Sequence, residues 1–165
     1  MSQRSAATRS HRTILSAAVA AALSLFLVAG GLRAQASGDL LVRVKAQGSV
    51  SQVASRLKKA VSDNGLMVMG HLDQGKVLGM TGADVTSESF FIGNPQVGKK
   101  LFGADRGVGV AVPPRVNIYR DGQGQTYISY LKPSAELGAF GNEKIDKVAA
   151  MLDQKLAAIA RAAAS

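Results

Sequence analysis

Phe90–Lys100 reads FFIGNPQVGKK, and the interpretation of this stretch decides the fold. It matches the phosphate-binding pattern G-x-x-x-x-G-K-[ST] from Gly93 onwards, but Lys100 stands where that pattern requires a hydroxyl group. Pro95 also lacks an N–H group that could face a phosphate. We therefore expect no nucleotide site here. Asn94 as a helix N-cap, with proline as the first helical residue, predicts instead a corner between a strand and a helix.

A small anion site at this corner is an open alternative. The helix that begins at Pro95 would expose backbone N–H groups, and Lys99 or Lys100 would add positive charge close to them. Gly93, Asn94, Pro95 and Lys99 are therefore candidate ligand-binding residues.

The patterns on either side of the corner predict five strands and two long helices. The strand segments alternate or are continuously apolar, and the last two flank the turn Asp121–Gly124 as a hairpin. Apolar residues recur at helical spacing between Val50 and Val61 and again after Asn142, while Gly65 stands where the first helix should end. The predicted strands are residues 40–46, 66–71, 87–93, 116–120 and 125–131. Residues 76–80 are open between a short helix and irregular structure.

The element order is β-α-β-β-β-β-α, with a further short helix after the corner. Consecutive strands joined by short loops predict an antiparallel sheet, and two amphipathic helices can cover one of its faces. We therefore expect an α+β fold, a two-layer sandwich of the form β-α-β(4)-α.

The N-terminus has the pattern of a secretory signal peptide. Arg4, Arg9 and Arg12 precede an almost uncharged apolar stretch, and Ala34 and Ala36 occupy the small-residue positions of a cleavage site. We expect cleavage after Ala36, or alternatively after Ala34. The alternative interpretation of the whole segment is a membrane anchor that is not cleaved. Residues 37–165 would then be a single domain, periplasmic or secreted.

Cleavage changes the charge of the protein. The full chain has 20 basic and 11 acidic side chains, and four arginines but no acid precede Ser37, so 16 basic groups remain against 11 acidic ones, a net charge of +5. Because the signs are mixed along the chain, we expect no nucleic-acid partner. The chain has no cysteine, which excludes disulfides and thiolate chemistry. No later apolar run is long enough to predict a membrane span after cleavage.

Three segments together resemble a known family. SVSQVASRLKKAVSDNGLMVMGHLD, FFIGNPQVGKKLF and PPRVNIYRDGQGQTYISYLKP are similar to the bacterial domain of unknown function 302. The resemblance implies a β-α-β(4)-α sandwich like that of the TATA-binding protein, and it implies homodimers. It implies no activity, because none is established for the family. The chain departs from the family pattern at Lys99, where threonine is usual, and in LDQGKVLGM, which lacks an Asn-Ala pair.

His71 and Asp73 are the candidate residues for metal or acid–base chemistry. Two residues apart on a strand, they would point to the same face. They could form a metal half-site completed by a second copy of the chain, or an acid–base pair. Alternatively, His71 is a strand-end histidine with an ordinary hydrogen bond. No nucleophile-elbow pattern surrounds a serine, so we expect no serine catalytic triad.

The remaining candidates are aromatic and basic residues of the strands. Tyr119 is one of several aromatic residues that could line a ligand cavity between the sheet and the C-terminal helix. The basic residues expected at its rim are Arg43, Arg115 and Arg120. We expect a non-enzymatic module, without a cofactor, that binds a small ligand or a periplasmic protein near Asn94, His71 and Tyr119. The alternative is a metal-dependent or acid–base accessory enzyme that uses His71 and Asp73.

Overall fold

The five predicted strands are all present in the computed structural model, which describes residues 40–165. The predicted signal peptide, residues 1–36, lies outside the described residues. The strands are β1 (Leu41–Ala46), β2 (Met67–Asp73), β3 (Ser87–Gly93), β4 (Arg115–Arg120) and β5 (Thr126–Leu131). The helices are α1 (Val50–Asp63), α2 (Gln74–Gly79), α3 (Pro95–Ala104), α4 (Pro133–Leu137) and α5 (Glu143–Ala164), with 3-10 turns at Arg106–Val110 and Gly138–Phe140. Within residues 40–165, no helix combines the length and the apolar character that crossing a bilayer requires.

The strands form one antiparallel sheet in the order β1-β5-β4-β3-β2. The β4–β5 hairpin closes through Asp121, whose Oδ1 accepts hydrogen bonds from the backbone N–H groups of Gln123 and Gln125. Gly124 completes the turn with a φ of +82°, a conformation that favours glycine. The predicted α+β sandwich is therefore confirmed, and β1 and β2 are its edge strands.

One face of the sheet is covered by α1 and α5. Register partners share a face, and the row Glu88, Ile118, Ile128 and Val44 crosses the sheet on the covered side. Phe90, Ile118 and Ile128 are fully buried there against apolar side chains of both helices, because a sheet face of alternating apolar residues must be shielded from water.

Polar contacts also join α1 and α5. Arg56 Nε donates to the carbonyl oxygen of Ala163 at 2.9 Å, and Lys155 Nζ donates to that of Asn64 at 2.6 Å. The first contact lies at the C-terminal end of α5 and the second at the C-terminal end of α1. The two helices therefore run antiparallel on the covered face.

The N-terminal half of α5 packs in a second, smaller core. A helix of 22 residues is about 33 Å long, whereas a strand of six residues spans only about 20 Å, so α5 extends beyond the sheet. The short helices α3 and α4 and the turn Arg106–Val110 pack against this extension. The buried residues of the second core are Leu101, Val108, Leu137, Ile145, Ala149 and Leu152.

The helix ends confirm the local predictions. Ser49 caps α1 and forms a capping box with Gln52, Asn142 caps α5, and Gly65 follows α1 with a φ of +69°. Residues 76–80, left open by the sequence, belong mostly to α2. Helix α4 was not predicted, because five residues are too few to show a helical period.

Candidate functional site

Within residues 40–165, no long helix lies over the face of the sheet opposite α1 and α5, and we call this face the open face. Its central row consists of the register partners Ser89, Asn117, Ser129 and Arg43. This row is polar because alternate residues of a strand point to opposite faces and the covered face takes the apolar ones.

A hydrogen-bonded cluster holds α2 against one side of the open face. The Oγ atoms of Ser87 and Ser89 lie 2.7 and 3.1 Å from Gln74 Oε1, and 2.9 and 3.2 Å from Asn117 Oδ1. Both serines are buried, and their hydroxyl groups are satisfied by this cluster. Each hydroxyl can donate its single proton to one of these two amide oxygens, neither of which is a general base.

Asp73 sets the position of α2 in this cluster. Its Oδ1 accepts a hydrogen bond of 2.8 Å from the backbone N–H of Lys76 and so caps the helix. Gly75 allows the helix to come close to the sheet, since a Cβ atom there would lie only 2.5 Å from the carbonyl oxygen of Val85. Asp73 thus places Gln74 over the serines.

Next to this cluster, the open face bears two adjoining cavities that share Arg115 and Leu131. The first, of about 240 Å³, is lined by polar side chains that include Asn117 and Ser129. The second, of about 370 Å³, lies at the end of the sheet between β3, the segment 109–113 and α4. We call the second one the charged cavity. It is lined by Phe91, Gly109, Val110, Ala111, Val112, Pro113, Arg115, Leu131 and Glu136.

Arg115 and Glu136 give the charged cavity two opposite charges that do not pair. Partial burial raises the pKa of Glu136 above its ordinary value of 4.5, and the Arg115 guanidinium lowers it by a smaller amount. The two side chains are thus close enough to interact electrostatically, but they form no salt bridge among residues 40–165. Each charge faces the cavity without a protein counter-ion in contact.

His71 lies on edge strand β2, on the covered side of the sheet. Its ring stacks on Phe90 with the centroids 4.7 Å apart, and its Nε2 atom lies 2.9 Å from Glu88 Oε2. The register places Asp73 on the same face, as predicted, but the Asp73 carboxylate caps α2. The carboxylate partner of His71 is therefore Glu88, which the sequence interpretation missed.

No set of three or more metal-ligating residues forms around His71 or elsewhere in residues 40–165. The role of His71 and Asp73 in metal binding stays a prediction, and it needs ligands from outside the described part of the chain.

The corner Gly93–Pro95 joins β3 to α3 as predicted. Asn94 Oδ1 accepts hydrogen bonds from the backbone N–H groups of Gln96 and Val97, and Asn94 Nδ2 donates to the carbonyl oxygen of Gly65 at 3.0 Å. The cap thus uses N–H groups that an anion would need. The corner borders a small apolar cleft of about 170 Å³, where Met69 and Phe102 are about half exposed.

The remaining two candidates lie elsewhere. Lys99 is on the exposed side of α3, beside a groove that also involves Lys100, Lys144 and Lys147. Tyr119 is on the open face, where its ring stacks on Tyr127 at 5.6 Å between centroids. His71 and Tyr119 are on opposite faces of the sheet, so the structure does not bring them together with Asn94 in one pocket. Their individual roles in binding stay predictions.

Comparison with known proteins now identifies the family. A family model described as "Domain of unknown function DUF302" matches residues 42–163. The chain belongs to the DUF302 family. The crystal structure of an uncharacterized conserved DUF302 protein from Bacillus stearothermophilus superimposes with a TM-score of 0.70 at 20% sequence identity, covering 76% of this chain and 98% of that one. A search among curated proteins found no match.

The DUF302 match confirms the resemblance inferred from the three sequence segments. The two departures from the family pattern lie away from the charged cavity: Lys99 is on the outer side of α3, and the segment after His71 forms the end of β2 and α2. The sequence interpretation placed Arg115 at the rim of a cavity between the sheet and the C-terminal helix, whereas in this DUF302 chain Arg115 lines a cavity on the opposite, open face. Glu136 was not predicted. The only signal for Glu136 was an acidic residue after Pro133, which is too common a pattern to indicate a site.

Proposed function

We propose that this DUF302 chain is an exported, non-enzymatic module that binds a small ligand in the charged cavity. One observation supports this most strongly: a cavity of about 370 Å³ combines several apolar side chains with two charged groups that have no contacting counter-ion among residues 40–165. Small-molecule sites are typically concave, mostly apolar and about 300–1,000 Å³ in volume, with a few polar groups that orient the ligand.

The chemistry of the lining favours binding over catalysis. Among residues 40–165, Arg115 and Glu136 are the only ionisable residues that line the charged cavity, and no serine, threonine or histidine accompanies them. A hydroxyl nucleophile with an adjacent base is a common route to a covalent acyl intermediate. The described lining of the charged cavity has no side-chain hydroxyl group.

Export supports a binding role in the cell envelope. The basic, then apolar, then A-x-A pattern of residues 1–36 is that of a cleaved leader, and residues 40–165 contain no cysteine that an oxidising compartment would modify. We propose that the mature protein meets its ligand in the periplasm or outside the cell.

Native mass spectrometry of protein purified from the periplasm tests the proposal. We expect a co-purified small molecule, or a shift in thermal stability with members of a metabolite library, that Arg115→Ala removes. Arg161→Ala is the matched control, because Arg161 is an exposed arginine on α5 and does not line the cavity. Ligand binding that is unaffected by Arg115→Ala would contradict this location.

The alternative is an acid–base or metal-dependent accessory enzyme that uses His71 and Asp73. The observation that favours it is the 2.9 Å contact of His71 Nε2 with Glu88, since a carboxylate that orients a histidine is common to acid–base sites. Metal analysis of the purified protein tests it: stoichiometric metal that is lost in His71→Ala would favour this alternative over the binding module.

A further inference from the structure

We propose that the ligand of the charged cavity is a zwitterion of the amino-acid type, whose carboxylate pairs with Arg115 and whose ammonium group pairs with Glu136. This inference depends on the proposed function and specifies its ligand class. It starts from the fact that two opposite charges share one cavity without forming a salt bridge with each other.

The positive side of the cavity is suited to a carboxylate. A guanidinium group donates two parallel hydrogen bonds to a carboxylate, a geometry that a lysine cannot provide. The Arg115 side chain is exposed and makes no hydrogen bond to another side chain or to the backbone among residues 40–165. Its donors are therefore available to a ligand.

The negative side is suited to an ammonium group. Glu136 is partly shielded from water by the cavity, so its ionised form has lost hydration without gaining a contacting cation. An ammonium group beside it would supply that missing partner. Glu136 would also repel a ligand with only negative charge, so we expect a simple anion to bind poorly.

Apolar side chains also line the cavity, alongside its polar surface. Phe91, Leu131, Val112 and Pro113 border the cavity, and Val110 at its edge is 89% exposed. A hydrocarbon side chain bound there would cover Val110 and gain about 25 cal/mol for each Å² of apolar surface removed from water. The arrangement of arginine, apolar wall and glutamate therefore fits an amino acid with an apolar side chain.

Isothermal titration calorimetry with L-leucine, leucinamide and N-acetyl-leucine tests the inference, with L-phenylalanine and L-alanine as probes of side-chain size. We expect at least one of the three amino acids to bind. Leucinamide lacks the carboxylate and N-acetyl-leucine lacks the ammonium group, so each should bind at least about tenfold more weakly than leucine, a loss of about 1.4 kcal/mol.

Charge variants place the binding in the cavity. Arg115→Glu and Glu136→Arg should each weaken amino-acid binding at least about tenfold, and the double variant should recover part of it, because a zwitterion can bind in the reverse orientation. Arg161→Glu is the control for net charge and should leave binding unchanged. Thermal unfolding of each variant checks that it is folded.

Two results would overturn the inference. If the wild-type protein binds none of the amino acids, or binds leucinamide and N-acetyl-leucine as tightly as leucine, the zwitterion assignment is wrong. If another small molecule binds and Arg115→Ala removes that binding, the proposed function stands without the zwitterion. If no small molecule binds, both fail.

Discussion

Phe90 is the residue through which the edge of the sheet is connected to its core. Its side chain is fully buried, the ring of His71 stacks on it, and Lys58 Nζ lies 5.6 Å from its centroid. Phe90 therefore holds the His71 side chain of edge strand β2 on the covered face, and it fills space beneath α1.

Replacement of Phe90 by alanine should lower the free energy of unfolding by about 3–5 kcal/mol, because it removes a large buried ring and leaves a cavity. Chemical denaturation in urea measures this change. Phe102→Ala is the control, since Phe102 is 45% exposed, and it should cost clearly less. Equal losses for the two variants would mean that Phe90 is not a core residue.

Glu136 should make the stability of the protein depend on pH. Burial raises the pKa of its carboxyl group in the folded state, so the contribution of Glu136 is most favourable below its ordinary value of 4.5 and is lost as the pH rises through the raised pKa. Glutamine resembles the neutral acid. Glu136→Gln should therefore raise the melting temperature at pH 7, by less than the equivalent of about 1 kcal/mol because the group is partly exposed, and should have little effect at pH 4.

Thermal unfolding at several pH values between 4 and 8 measures this difference. The control is Glu143→Gln, at an exposed position in the first turn of α5, where the negative charge favours the helix. A gain from Glu136→Gln that is as large at pH 4 as at pH 7 would exclude ionisation as its cause.

Among the elements, the corner between β3 and α3 depends most on a single side chain. Asn94 caps α3 through Oδ1 and ties it to the end of α1 through the Nδ2 contact with Gly65. Gly93 leaves room for Met69, since a Cβ atom at Gly93 would lie 2.6 Å from the Met69 sulfur. Two neighbouring residues, Gly93 and Asn94, thus bring α3, the end of α1 and β2 together at this corner.

Asn94→Ala should destabilise the protein by about 1–2 kcal/mol, because it removes the cap and leaves backbone N–H groups without a partner. Asn94→Asp is the matched variant: it keeps the capping oxygen and loses only the donor to Gly65, so it should cost less than alanine. Urea denaturation of both variants measures the two contributions. If Asn94→Asp is as unstable as Asn94→Ala, the loss of stability comes from the Gly65 contact and not from the cap.

Helix α5 connects the two cores of the molecule. Leu156 and Ile159, in its C-terminal half, pack on the sheet, whereas Ile145 and Leu152 pack with α3 and α4. The short elements of the second core also border the charged cavity through the segment 109–113 and Glu136. The short elements that border the charged cavity pack against the part of α5 that extends beyond the sheet. The charged cavity therefore depends on the length of α5.

For the whole molecule, the two-layer arrangement leaves one sheet face for interactions. In the described part of the chain, both long helices are on the covered face, and the open face has only α2 at one side and the two cavities at its end. A small domain of this kind can thus use one face for folding and the other for binding.

Export should remove residues 1–36. Intact mass spectrometry of the periplasmic fraction is expected to give a chain that begins at Ser37, because Ala34 and Ala36 satisfy the small-residue preference of the cleavage site. Replacement of Ala36 by leucine should slow processing and accumulate the precursor. A full-length chain found only in the membrane fraction would instead support an uncleaved anchor, and a chain that begins at Gln35 would move the cleavage site to Ala34.

Much of the fold was predictable because its signals are local. Strand alternation, the Asn94-Pro95 helix start, the turn at Asp121 and the terminator Gly65 each depend on neighbouring residues, and the structure has all of them. The family resemblance implied the same β-α-β(4)-α order that the residue patterns had predicted. Helix α4 escaped prediction because it is too short for a periodic pattern.

The sites depend on contacts between distant parts of the chain. His71 pairs with Glu88 because a register shift between Val68 and Gly70 sets how β2 aligns with β3, and no sequence signal marks that shift. By itself the sequence determined the five strands, the two long helices and the antiparallel sheet, since hydrophobic period and capping are properties of adjacent residues. Only the tertiary structure decided that Arg115 and Glu136 face one cavity, because their proximity depends on how β4 and α4 pack.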